Sequence, residues 1–142
     1  RNGTDAGWRQ FCKTGYEKGD TVVEIYPKIR GKYCRDYDWD DTGYGYCSGS
    51  TETRIYDGED NPGNTAETKT MFCAEGCYKR NVEMKGGTKW EDWDANTQLT
   101  HFAMKPSGRC VCYVVNCNKK NASGWDLYKY DYSSQIARAG YA

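Results

Sequence analysis

The sequence predicts a small disulfide-rich α+β domain in which an antiparallel sheet carries one helix pinned by disulfide bonds. Three observations predict it: eight cysteines, a scarcity of large aliphatic residues, and one well-capped helical segment between β-rich runs. Leu, Ile, Val and Phe make up roughly a tenth of the 142 residues, against 13 Tyr and 5 Trp. Such a chain lacks an ordinary aliphatic core. We therefore expect aromatic packing and disulfides to hold residues 1–142 together as a single domain.

The even number of cysteines indicates a disulfide framework formed in an oxidising compartment. Zinc sites favour repeated C-x2-C or Cys/His pairs, whereas this chain offers C-x3-C, C-x-C and one histidine. We thus expect no cofactor and four bridges, each contributing about 2–4 kcal/mol to stability. The cysteines concerned are Cys12, Cys34, Cys47, Cys73, Cys77, Cys110, Cys112 and Cys117.

Other features of the chain also favour secretion. Asn2 and Asn121 each begin an N-x-[ST] triplet, the acceptor for N-glycosylation. The chain starts at Arg1 without an apolar leader, as expected of a mature product whose signal peptide has been removed, or of a fragment. No run of residues is apolar enough to span a membrane. We expect an extracellular, glycosylated protein without membrane insertion.

The first half of the chain contains three candidate strands. Residues 21–26 are β-branched and end at a proline, residues 29–33 could return as their partner, and residues 51–56 form the third. A turn-rich run, 57–63, follows. The N-terminal segment 1–50 is taken as an extension of the same domain.

The strongest helical signal spans residues 65 to about 80. Asn64 is a good N-cap, and Glu67 three residues later completes a capping-box pattern. Cys73 and Cys77 stand four apart, which places both thiols on one helix face. Gly76 between them lowers helix propensity and suggests close approach of a neighbouring backbone.

The remaining elements are predicted as strands. Residues 99–104 and 109–115 flank the turn Pro106–Gly108 and predict a hairpin. Cys110 and Cys112 share one face of its second strand, where the helix thiols can meet them. Residues 125–132 read as a last strand with Tyr128, Tyr130 and Tyr132 on one side, followed by a small polar tail, 133–142, that frays or docks elsewhere.

Residues 51–132 resemble a PAN/apple-type module. The resemblance rests on the capped helix with Cys73–Cys77, on the strand 100–104, and on the turn leading to Cys110 and Cys112. It implies an extracellular, non-enzymatic module that binds proteins or carbohydrates, with a helix tied by disulfides to the central strands. Two features depart from the family pattern. Residues 96–100 lack the usual cysteine, so that Cys112 or Cys117 would have to substitute for it, and the first fifty residues have no counterpart.

Residues able to carry catalysis or hold a metal are few. His101 is the only histidine and lies within a candidate strand, where a structural role is the ordinary one. Carboxylate pairs could support glycoside hydrolysis, but in a chain with 28% charged residues nothing singles one out among Glu24, Glu52, Glu91, Asp92 and Asp94. Asp36, Asp38 and Asp40 alternate like the first calcium ligands of an EF-hand, but Asp41 and Cys47 stand where the turn glycine and the bidentate glutamate belong. A weaker calcium site or a solvated acidic loop remain as interpretations.

Aromatic side chains interleaved with carboxylates and glycines indicate a ligand or partner surface. In a protein so short of leucine, about half of these aromatics are expected to be buried instead. The candidates are Tyr37, Trp39, Tyr44, Tyr46, Trp90, Trp93, Tyr128 and Tyr130.

The leading functional hypothesis is a secreted, non-enzymatic module that self-associates as a structural subunit of an extracellular polymer, filament or coat. Zero net charge leaves little repulsion between copies and gives no basic footprint for nucleic acid. The partners expected are itself or other extracellular proteins. A carbohydrate- or protein-binding lectin-like module with Trp39, Trp90 and Trp93 as glycan platforms is the first alternative. A small secreted hydrolase using a carboxylate pair is the second.

Overall fold

The computed structural model describes residues 37–88 and 92–132, together with the backbone of residues 28–29 and 32–33. It confirms a small α+β protein with antiparallel sheets and a disulfide-pinned helix. The elements are β1 (Lys28–Ile29), β2 (Lys32–Tyr33), β3 (Asp38–Tyr44), β4 (Tyr46–Ser48), β5 (Thr51–Tyr56), α1 (Ala66–Met84), β6 (Leu99–Met104), β7 (Cys110–Val114), β8 (Asn118–Lys120) and β9 (Asp126–Asp131).

The chain divides into two compact units, residues 1–39 with 131–142, and residues 40–130. In the first unit β1 and β2 pair antiparallel, with Lys28 opposite Tyr33. The rings of Tyr37 and Trp39 lie 6.1 Å apart, centroid to centroid. The predicted strand 21–26 and the predicted tail 133–142 fall outside the described residues, as do Cys12 and Cys34.

A five-stranded sheet in the order β3-β9-β6-β7-β5 organises the second unit. Its central strands β6 and β7 form the predicted hairpin, in which Met104 lies opposite Cys110. In the turn, the Lys105 amide donates to the Arg109 carbonyl at 3.0 Å and the Gly108 amide to the Lys105 carbonyl at 2.8 Å. The hairpin prediction is therefore confirmed.

Helix α1 begins one residue later than the sequence suggested and ends at Met84 rather than near residue 80. Its N-cap is Thr65 instead of Asn64, because the extended backbone of Thr65 points its hydroxyl at the helix end. The Thr65 Oγ1 accepts from the Thr68 amide at 3.1 Å, and the Thr68 Oγ1 accepts from the Thr65 amide at 2.9 Å. Glu67 lies in the first turn, where its charge complements the helix dipole. None of the described helical segments combines the length and apolar character that crossing a membrane requires.

Two disulfides fix α1 to the sheet, as predicted. Cys73 bonds to Cys110 and Cys77 bonds to Cys112, and both bonds join Cα atoms 5.6 Å apart. The two bridges stack, with the Cys77 and Cys110 sulfurs 3.8 Å apart. Four-residue spacing on the helix and two-residue spacing on the strand put all four sulfurs on one shared face.

The opposite face of the sheet carries the small β4–β8 ribbon, in which Tyr46 lies opposite Lys120. A third disulfide, Cys47–Cys117, closes this ribbon. Cys47 packs in a buried cluster on this face of the sheet. Val111 and Tyr113 alternate with Cys110 and Cys112 along β7, so their side chains point to the face opposite the helix. That cluster contains Cys47, Ala103, Val111, Tyr113 and Leu127.

Aromatic side chains replace the missing aliphatics on the helix side of the sheet. The fully buried Phe102 stacks on Tyr128 with centroids 4.9 Å apart and meets Tyr130 at 5.2 Å. The Tyr130 hydroxyl donates to the Ala74 carbonyl of α1 at 2.5 Å. The expectation of an aromatic, disulfide-linked core is confirmed for these residues.

The close approach expected at Gly76 is made by side chains, so the prediction of a neighbouring backbone is wrong. A Cβ atom at this position would lie 2.7 Å from Ile55 Cδ1 and 3.2 Å from the Tyr56 hydroxyl. Gly76 therefore makes room for the side chains of β5 under the helix.

Candidate functional site

The structure divides the predicted surface aromatics into buried and exposed groups. Tyr37, Trp93 and Tyr130 are 1%, 9% and 4% exposed, so assigning them to a contact surface was wrong. The rings of all three are enclosed in the protein interior. The sequence predicts burial for about half of the candidate aromatics, and these three belong to that half. Trp39 and Tyr128 are half-buried, and Trp90 lies outside the described residues.

Trp93 is one of the three predicted glycan platforms, and the structure engages its ring within the protein. Its ring packs against Tyr78 of α1 with centroids 5.6 Å apart, and its indole N–H donates to the Thr88 carbonyl at 2.9 Å. A ring engaged in this way does not offer a face for stacking on a sugar.

The exposed aromatics are Tyr44 and Tyr46, which are 63% and 40% exposed. Tyr44 ends β3 and Tyr46 begins β4, opposite Lys120 of the exposed strand β8. We call Tyr44, Tyr46, Lys119 and Lys120 the tyrosine ribbon. Its two tyrosines are the predicted surface aromatics that are exposed within the described part of the chain.

Backbone contacts and a disulfide position the tyrosine ribbon. The Gly45 amide donates to the Trp125 carbonyl at 2.9 Å, and the Lys119 ammonium group contacts the Thr42 carbonyl. A Cβ at Gly45 would lie 2.6 Å from the Lys120 carbonyl, so only glycine allows this approach. Together with Cys47–Cys117, these contacts hold the two tyrosines in place.

A second concave surface lies between the C-terminal half of α1 and the edge of the sheet at β5. It is an open groove with a volume of about 160 Å³, and all of its lining residues belong to the described part of the chain. Val114 supplies apolar surface above the fully buried Leu99, Thr51 and Thr53 supply hydroxyls, and the Cys77–Cys112 disulfide also borders it. Arg80 and Lys85 contribute positive charge. We call this surface the α1–β5 groove.

Asn81, 5% exposed, also lines the α1–β5 groove. Its Nδ2 donates to the Thr97 carbonyl at 3.2 Å. This residue was absent from the sequence-based candidates, since an asparagine in a helix carries no signal of its own until the packing around it is known.

Two titratable groups of the sheet, His101 and Tyr113, have pKa values shifted by burial. Burial, and then the charge of Lys129, lower the pKa of His101 to about 4. Burial, and then Glu52, raise the pKa of Tyr113 to about 12. His101 therefore carries no charge near neutral pH, while its Nδ1 lies 2.9 Å from the Thr100 hydroxyl.

Two groups among the described residues bring three metal-ligand atoms within 4.8 Å of one another, and both consist mainly of disulfide sulfurs. They are Cys47, His101 and Cys117, and Cys73, Cys77 and Cys110. Disulfide sulfurs are not the thiolates that bind metals. Asp38 and Asp40 lie on strand β3 and belong to neither group, and Asp36 is not described.

The predicted carboxylate candidates are scattered. Glu52, Asp92 and Asp94 are exposed, and Glu24 and Glu91 are not described. Burial, and then the charge of Asp41, raise the pKa of Asp126. This pair carries no signal in the sequence, because only the adjacency of β3 and β9 brings the two residues together.

Asn121 lies in the exposed loop that follows β8, where its amide is accessible. Asn2 lies outside the described residues. Comparison with protein-family models, with curated proteins and with solved structures finds no match to this chain. The resemblance to PAN/apple modules thus stays a prediction.

Proposed function

We propose that this chain is a secreted, non-enzymatic interaction module that self-associates through the tyrosine ribbon as a structural subunit of an extracellular polymer or coat. The observation that carries the proposal is the exposure of Tyr44 and Tyr46 on a ribbon that a disulfide fixes. Three disulfides within the described residues agree with an oxidising, extracellular environment. The accessible acceptor Asn121 agrees with secretion as well.

The chemistry of the tyrosine ribbon supports a role in protein contact. Tyrosine offers a large apolar ring with a polar tip and is among the residues that contribute most to binding energy at interfaces. Because the backbone of the ribbon is fixed by Cys47–Cys117 and by the Gly45–Trp125 hydrogen bond, binding costs little backbone conformational entropy. A rigid, exposed aromatic pair is thus suited to anchoring a partner.

The charges around the ribbon favour a second copy as that partner. Lys119 and Lys120 are exposed on β8, and Asp40 and Asp41 are exposed on β3, the strand that ends at Tyr44. A surface with both signs of charge can be complementary to itself, with lysines of one copy against aspartates of the other. Lysines on β8 disfavour pairing of strand edges, so the contact is expected through side chains.

Sedimentation velocity over a concentration series tests the proposal. We expect the sedimentation coefficient of the native chain to rise from micromolar to submillimolar concentration and the rise to weaken in high salt. Tyr44→Ser combined with Tyr46→Ser should remove the rise. Met84→Ser is the matched control, because Met84 is 62% exposed and does not belong to the tyrosine ribbon. A native chain that stays monomeric throughout, or a double variant that assembles like the native chain, contradicts self-association through this surface.

A further inference from the structure

The described part of the chain contains two buried polar side chains, Asn61 and Asn81, each 5% exposed. Asn61 uses its full side chain: its Nδ2 donates to the Lys69 carbonyl at 3.1 Å and to the Gly108 carbonyl at 3.0 Å, and its Oδ1 accepts from the Gly63 amide at 2.9 Å. Buried amides are ordinarily satisfied in this way, because an unpaired polar atom away from water is costly.

Asn81 differs from Asn61 in this respect. Its side chain makes one hydrogen bond within the described structure, from Nδ2 to the Thr97 carbonyl. Because a carbonyl can only accept a hydrogen bond, the Nδ2 end of the Asn81 amide, and not Oδ1, faces Thr97. The Oδ1 atom and the second Nδ2 hydrogen find no protein partner among the described residues. Within the described residues, Asn81 thus has one acceptor and one donor without a protein partner, on a buried side chain that lines the α1–β5 groove.

Two cations accompany Asn81 in the groove. Arg80 and Lys85 both line it, and no described carboxylate lies within ion-pair distance of either. Arg80 lies on α1 one turn before its end, and Lys85 is the residue that caps its C-terminus. The combination of unpaired positive charge and a half-used amide fits a ligand with a carboxylate and a neighbouring amide group.

The size of the groove limits the ligand further. A volume of about 160 Å³ is close to that of a cavity that holds one benzene molecule, so it admits one small apolar side chain. Val114, which is partly exposed, provides the apolar contact for such a side chain. A carboxylate, an adjacent amide and one apolar side chain are together the last residue of a peptide chain.

We propose that the α1–β5 groove binds the C-terminal end of a peptide. Arg80 and Lys85 receive its terminal carboxylate, and Asn81 pairs with a backbone amide through its free Oδ1 and Nδ2 hydrogen. The last side chain of the peptide rests on Val114. This inference uses residues outside the tyrosine ribbon and does not depend on self-association.

Titration of the ¹⁵N-labelled, fully oxidised chain with N-acetyl-Ala-Val tests the inference by NMR. We expect saturable shifts of the Asn81 side-chain amide and of neighbouring backbone amides, with a dissociation constant of about 1–10 mM for so small a probe. The same dipeptide with a C-terminal carboxamide should bind about tenfold more weakly, since it lacks the charge that Arg80 and Lys85 receive.

Variants distinguish binding of the peptide in the α1–β5 groove from nonspecific binding of anions to the protein surface. Asn81→Leu should abolish the saturable shifts, and Arg80→Gln with Lys85→Gln should weaken binding about tenfold while leaving the fold unchanged. Lys129→Gln, which removes an exposed cation from β9, is the control and should bind like the native chain. Equal binding of the acid and the carboxamide, equal shifts with acetate alone, or no saturable shift at the groove would each overturn the inference. The cation variant keeps the test decisive if Asn81→Leu does not fold.

Discussion

Gly108 links the β6–β7 turn to the loop that precedes α1. Its φ is +103°, and a Cβ atom would lie 2.8 Å from the Gly58 carbonyl and 2.9 Å from Asn61 Cβ. Its own carbonyl accepts one of the Asn61 hydrogen bonds. Backbone conformation and space therefore both require glycine at this position.

Gly108→Ala should accordingly destabilise the fold by about 2–3 kcal/mol, because it combines a strained backbone with a clash against rigid atoms. Gly124→Ala is the matched control, since Gly124 has open space around its Cα. Urea unfolding of both variants measures the difference. Equal midpoints for the two variants would show that the turn tolerates a side chain.

His101 should make stability depend on pH. Its pKa is lowered from 6.5 to about 4 by burial and by Lys129, so the unfolded chain takes up a proton at higher pH than the folded chain does. Stability should be unaffected above pH 6.5 and should fall as the pH drops from 6.5 to about 4. Partial exposure screens this cost, and we expect a contribution of about 1 kcal/mol. In the His101→Gln variant, the thermal melting temperature should change less with pH across that window than in the native chain. The same pH dependence in the variant and the native chain would show that His101 is not its source.

At the level of elements, the cap of α1 shows how local geometry decides among equivalent residues. Asn64, Thr65 and Thr68 all have capping side chains, and the sequence does not say which residue takes the extended backbone. The structure gives that place to Thr65. Thr65→Ala should cost about 1 kcal/mol, whereas Asn64→Ala should cost a few tenths at most. Chemical denaturation of both variants measures the two losses of unfolding free energy. A larger loss for Asn64→Ala would show that Asn64, the residue predicted from the sequence, is the N-cap.

The helix and its two bridges were predictable because their signals are local. A four-residue spacing on α1 and a two-residue spacing on β7 identify a shared face without knowledge of the fold. The β4–β8 ribbon carries no such signal, because Cys47 and Cys117 stand 70 residues apart and their pairing depends on the sheet between them. The α1–β5 groove was unpredictable for the same reason, since α1, β5, β6 and β7 each supply part of its lining.

At the scale of the whole molecule, disulfides and aromatic rings stabilise the core in the way that aliphatic side chains do in most globular proteins. The central hairpin is covered on one face by α1 through Cys73–Cys110 and Cys77–Cys112, and on the other by the ribbon through Cys47–Cys117. Composition predicted this kind of stabilisation. It could not predict which tyrosines are buried, because Tyr44 and Tyr130 have the same side chain and differ only in the surface that their strands present.

The three disulfides of the described residues all lie within the second unit. The three described disulfides, helix α1 and strands β4–β8 fall inside residues 40–130, as does nearly all of β9. We therefore expect residues 40–130, expressed alone under oxidising conditions, to fold with the same three bridges. A non-reducing peptide map should show Cys47–Cys117, Cys73–Cys110 and Cys77–Cys112, and the amide NMR spectrum should be dispersed. Because three bridges contribute about 2–4 kcal/mol each to so small a core, reduction should unfold the fragment. Scrambled pairings or a collapsed spectrum would mean that residues outside this range are needed to form the unit.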